Sequence, residues 1–140
     1  MSIQTVLLSL AILSCSLKAS SQKLTIVING VKNDKGHIRV ALYNSSKSFM
    51  LVPFKTAETK AREGHVMVVF QDVPEGEYAA SVLHDMNGNK TMDENLLGIP
   101  KEGFGFSNDA MGAFGPPTYK ECLFPVKQGA ITTGIRLKYF

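Results

Sequence analysis

Only two cysteines, Cys15 and Cys122, occur among the 140 residues. A disulfide framework is therefore excluded once Cys15 is seen to lie in a segment that reads as cleavable. Long apolar runs are missing as well. The most apolar stretch, Val6 to Cys15 (VLLSLAILSC), has about ten residues, well short of the ~20 that a membrane-spanning helix needs. Charge of one sign is scarce: 15 Lys and Arg stand against 12 Asp and Glu. Setting Lys18 aside leaves 14 against 12, a net +2. No basic run with interleaved aromatics occurs, so nucleic acid is not an expected partner. The chain also has no HExxH pattern, no GxSxG elbow and no phosphate-cradling glycine loop.

What is present begins with a leader. The apolar Val6–Cys15 run is followed by small residues, Ser16 to Ser21, that suit cleavage after Ala19 or Ser21. Residues 1–21 are thus expected to be a signal peptide, and residues 22–140 one exported domain, periplasmic or extracellular. Lipid anchoring at Cys15 is the alternative, since Ile12-Leu13-Ser14-Cys15 loosely resembles a lipobox. The rest can fold: hydrophobic residues make up 44% of the chain and charged residues 19%, a globular balance.

Period-2 alternation dominates that domain. Leu24–Ile28, His37–Tyr43, His65–Phe70, Tyr78–His84, Tyr119–Val126 and Ile131–Tyr139 each read as strands. Turn residues separate them, as at Asn33-Asp34-Lys35-Gly36 and Pro74-Glu75-Gly76. Only Thr56–Arg62 (TAETKAR) reads as helical, within a link under which Phe49 and Phe54 are expected to pack. The pattern predicts an all-β fold: an antiparallel β-sandwich of about seven strands, transthyretin-like or immunoglobulin-like, with one long ordered loop. Gly76 followed by Tyr78 suggests a corner in which the phenol bonds back to the turn. Cys122 reads as a buried free thiol.

Between Asp85 and Thr118 the alternation stops. A loop of this length is usually functional or disordered, and this one carries too many packable residues for disorder. In Asp85-Met86-Asn87-Gly88-Asn89-Lys90-Thr91-Met92-Asp93, oxygen-bearing residues fall at positions 1, 3, 5, 7 and 9, the register of a calcium loop. Asp85, Asn87, Asn89, Thr91 and Asp93 are therefore candidate ligands for calcium, Thr91 through its carbonyl. Two positions depart from that pattern: Lys90 stands where Gly is usual, and Leu96 where a bidentate Glu is usual. Without metal, the same residues would form a cluster of Asx turns. Further on, aromatics alternate with glycines from Gly103 to Phe106, fitting either a ligand platform or, more economically, a seal over the sandwich. His84, Glu102 and Asn108 are candidate additional ligands or partner contacts, with Glu102 and Asn108 expected to face solvent or a ligand.

The compound motif His84-Asp85-x-Asn87-x-Asn89-x-x-x-Asp93, Gly98-x-Pro100-x-Glu102-Gly103-x-Gly105-Phe106-Ser107-Asn108, Phe114-Gly115-x-Pro117 resembles the hallmark of a family of small exported bacterial proteins of unassigned function. The resemblance spans nearly the whole mature chain. It implies a transthyretin-like or prealbumin-like sandwich and a periplasmic or surface location, and no particular reaction. Lys90 departs from the Gly expected there, which puts the tight turn in question. Function is expected to be a non-enzymatic binding or accessory module that meets an envelope protein or glycan. Two alternatives stand beside it: a hydrolase or metal-dependent enzyme using His84, Asp85 and Glu102, and a structural envelope subunit.

Overall fold

The structure, a computed structural model, describes residues 21–140. The leader and lipobox expectations fall outside the described residues, except that Ser21 opens the first strand. Eight strands follow: β1 (Ser21–Val31), β2 (His37–Tyr43), β3 (Lys55–Lys60), β4 (Gly64–Pro74), β5 (Gly76–Asp85), β6 (Phe104–Phe106), β7 (Phe124–Val126) and β8 (Ala130–Arg136). Among the described residues, helix is limited to a 3-10 turn at Ser107–Asp109 and a single α turn, α1, at Tyr119–Cys122.

The strands form two sheets. One has the order β4-β1-β8, the other β3-β2-β5-β6, with β7 pairing the start of β5. The expected all-β sandwich is thus found, with eight strands in place of about seven. It is not wholly antiparallel, because β1 and β8 run parallel from Lys23/Ala130 to Asn29/Arg136.

Alternation explains the core. Leu24, Ile26 and Ile28 of β1, with Val68 and Phe70 of β4, face Ile38, Val40 and Leu42 of β2 and Ala80 and Val82 of β5. Burying each large aliphatic side chain contributes about 1.5–3 kcal/mol relative to exposure. A second, smaller core lies on the outer face of the larger sheet. Tyr43, Ala79, Phe106 and Cys122 meet there, and Phe49 packs edge-on against Tyr43 with ring centroids 5.3 Å apart. Phe106 is buried in this cluster. Burial, helped by the charge of Glu121, pushes the Cys122 thiol up to about 11. A thiol so placed carries little thiolate at neutral pH.

Two segments differ from the sequence reading. Residues 55–60 form strand β3 where Thr56–Arg62 was expected to be helical, and Arg39–Glu58 and Ala41–Thr56 are among the pairs it makes with β2. Seven residues are too few to sustain an isolated helix, so pairing with an open sheet edge wins. Tyr119–Val126 is not one strand. Thr118 caps α1 by accepting the Glu121 N–H, while the Glu121 carboxylate accepts the Thr118 N–H at 2.7 Å. That reciprocal cap sets one helical turn before β7 begins. The expected corner is present: the Tyr78 hydroxyl donates to the Pro74 carbonyl at 2.7 Å.

Candidate functional site

Strand β5 delivers His84 and Asp85 to opposite faces of its sheet, because successive strand residues alternate. His84 points inward and is fully buried. Its Nε2 lies 2.7 Å from the Lys35 carbonyl and its Nδ1 lies 2.7 Å from the Tyr139 hydroxyl. A carbonyl can only accept, so Nε2 carries the proton and Nδ1 accepts from Tyr139. The Tyr139 oxygen in turn accepts the Lys32 N–H at 3.0 Å. Both ring nitrogens are thus occupied in joining the β1–β2 turn to the stretch after β8.

Asp85 lies on the other face and is equally buried. Its Oδ2 accepts from Arg39 Nε at 2.7 Å and from the Lys90 N–H at 2.9 Å. Its Oδ1 is buried without a partner. Burial pushes the carboxyl up, but the Arg39 guanidinium and the Lys90 N–H outweigh it and hold Asp85 below the usual carboxylate value. The turn between β1 and β2 packs so closely here that a Cβ on Gly36 would collide with the Asp85 carbonyl. Gly36 also has φ +67°, so glycine is required twice over.

The following loop folds back on itself. Asn87 Oδ1 accepts the Asn89 N–H at 3.2 Å, and Asn89 Oδ1 accepts the Thr91 N–H at 3.1 Å. These are successive Asx turns. The amides of Asn87 and Asn89 both donate to the carboxylate of Asp93, the latter at 2.7 Å. Lys90 takes φ +65°, so the turn expected of glycine is kept by a residue that strains to make it.

Glu102 closes the group. Of the two surroundings expected for it, solvent is not the one found: it is buried. Its Oε1 accepts the Met86 N–H at 3.2 Å, and its Oε2 is buried without a partner. Burial, then the neighbouring charges of Asp93 and Asp85, push its carboxyl above the usual value, and the Met86 N–H offsets part of this. Asp85, Asn87, Asn89, Asp93 and Glu102 are therefore brought together, with Thr91 tied in through its N–H. His84 is turned away. Asn108 serves elsewhere: with φ 60°, it donates to the carbonyls of Glu121 and Leu123 at 3.1 and 2.7 Å and so pins α1.

Among the described residues, no three His, Cys, Asp or Glu side chains gather as a metal-binding group by themselves. A cation here would have to draw on amide and carbonyl oxygens too, which is the habit of calcium and not of zinc.

Beside this loop lies a cleft of about 1090 Å³ on the outer face of the larger sheet. Arg39, Ala41 and Leu83 line it from the sheet, and Lys90, Ile99 and Met111 from the loop. His84, Asp85 and Glu102 do not line it. Arg39, Tyr139 and this cleft were not singled out in the sequence. An Arg between Ile38 and Val40 is an ordinary outward strand residue until Asp85, 46 positions away, is folded against it.

Neither the curated proteins nor the solved structures give a match to this chain. A family model does: the one described as "uncharacterized protein conserved in bacteria (DUF2141)" matches residues 26–133, so the chain belongs to that family.

Proposed function

We propose that this protein is an exported, non-enzymatic binding or accessory module of the cell envelope whose Asp85–Asp93 loop takes calcium. One observation carries the reading: Asp85 Oδ1 and Glu102 Oε2 are both buried and neither accepts a hydrogen bond of standard geometry, although the Gly88 and Asp93 N–H groups lie close to these carboxylates. A buried carboxylate oxygen left bare is costly, and a hard cation that met both would offset that cost. Asn87 Oδ1 and Asn89 Oδ1 each accept one backbone N–H and keep a second lone pair for a cation. Thr91 would offer its carbonyl.

The export part rests on the Val6–Cys15 run and the small residues after it. We further read the sandwich as transthyretin-like, supported by the Tyr78 corner. A reaction through His84, Asp85 and Glu102 has little support. The strand pleat separates His84 from Asp85, and both imidazole nitrogens are engaged.

Isothermal titration with calcium tests the proposal. Heat of binding, with a melting temperature that rises in millimolar calcium, is expected. At ten times the dissociation constant the added stability is about 1.4 kcal/mol. Absence of both effects would remove the calcium reading.

A further inference from the structure

The cleft and the carboxylate loop share a wall. Lys90, Thr91, Met92 and Glu94 belong to the loop, and all four line the cleft. Arg39 joins them from beneath: its Nε binds Asp85 while its Nη1 pairs with Glu58, which also lines the cleft. The free oxygen of Asp85 is the one that Arg39 does not use. A cation can therefore engage Asp85 without breaking the Arg39 contact.

The cleft is also where apolar surface is left bare. Met50, Ile99, Met111, Phe114 and Phe140 are all exposed and all line it. Phe140 is held at its edge by stacking on Phe104, with centroids 5.8 Å apart. A soluble domain seldom leaves so much contiguous apolar surface open without a use. Its concave shape and volume suit a small molecule, where a flat patch would suit a protein. Charge narrows the class. Among the side chains that line it, Arg39 and Lys90 stand against Glu58 and Glu94, and Asp85 beneath adds a further negative charge on Arg39. No surplus of positive charge is left to recognise an anion.

We infer that this cleft binds a neutral, apolar small molecule, and that calcium in the adjoining loop strengthens that binding by fixing the loop wall. The inference rests on the calcium reading above for its second half. The physical reason is entropy: a ligand that meets a wall already ordered by the ion does not have to order it.

The test uses N-phenyl-1-naphthylamine, an uncharged fluorescent probe, with calorimetry of calcium on the same purified protein. The probe should bind about tenfold more tightly in millimolar calcium than in chelator. Glu102→Gln should show the weaker value in both. Met111→Glu and Phe140→Glu, both at exposed positions, should lose the probe and keep the heat of calcium binding. Probe binding of equal strength with and without calcium, when calcium heat is present, overturns the coupling and leaves the calcium reading standing. No probe binding in either state overturns the cleft assignment. Absence of calcium heat removes the loop reading and the coupling together. Equal binding of the anionic analogue 1-anilinonaphthalene-8-sulfonate overturns the choice of a neutral ligand.

Discussion

His84 Nδ1 accepts a hydrogen bond from the Tyr139 hydroxyl across 2.7 Å, and that same hydroxyl oxygen takes the Lys32 N–H. Removing the hydroxyl strands one buried acceptor and one backbone donor. Tyr139→Phe should lose about 1–3 kcal/mol of stability, read from the midpoint of urea unfolding. It should leave calcium titration unchanged, because His84 faces away from the loop. A change in calcium heat would link the two faces of β5 in a way the geometry does not provide.

Glu102→Gln should act in the opposite direction. The Glu102 carboxyl is raised in the folded state by burial and by the charges of Asp93 and Asp85. For a raised acid, the folded state favours the proton, so its contribution is best below the unfolded value of about 4.5 and is lost as pH rises through the folded value. At neutral pH without calcium, the variant should melt several degrees higher than the parent. The gap should close as pH falls towards 4.5, where the parent gains its proton. In calcium the parent should overtake the variant. Equal melting curves across pH would show that Glu102 is not a buried charge.

Asp85 has the reverse sign. Its carboxyl is lowered, because Arg39 and the Lys90 N–H outweigh burial, so it stabilises the fold above the unfolded value of about 3.8. That contribution is lost as pH falls through the folded value. Asp85→Asn should therefore weaken the fold at neutral pH and flatten the acid limb of a stability–pH curve. An acid limb as steep as the parent's would assign acid unfolding to other carboxylates.

Lys90→Gly addresses the strained turn. A left-handed residue with a side chain costs about 1–2 kcal/mol, and glycine returns part of that in lost chain entropy. The variant should be up to about 1 kcal/mol more stable by urea unfolding, with calcium affinity equal or higher. A loss of stability would mean that the Lys90 side chain contributes more than its backbone costs.

Much of the fold was legible because the dominant signal is local. Ile38, Val40 and Leu42 alternate in the sequence, and they alternate in burial. β3 was not legible, since Lys55–Lys60 carries no apolar alternation beyond Ala57 and owes its form to the neighbouring strand. α1 was hidden under apparent alternation, although Thr118 and Glu121 stand at capping-box spacing. The carboxylate loop could be anticipated for the same reason as the strands: Asp85, Asn87, Asn89 and Asp93 lie within nine residues. What joins it from afar could not. Glu102 reads as an exposed loop acid until the fold buries it against Met86, and the cleft exists only once β5 and the 90–116 stretch meet.

One pairing has a bearing on how the chain is made. β1, at the amino-terminal side of the domain, is flanked by β4 and by β8, the last strand of all. While residues 130–136 are still held by the ribosome, β1 has one side unfilled. The β1–β8 pairing spans more than a hundred positions, and such long closures are slow. Until then Leu24, Ile26 and Ile28 lack part of their cover, so a chaperone that holds that hydrophobic strip during emergence would guard the domain's most vulnerable interval.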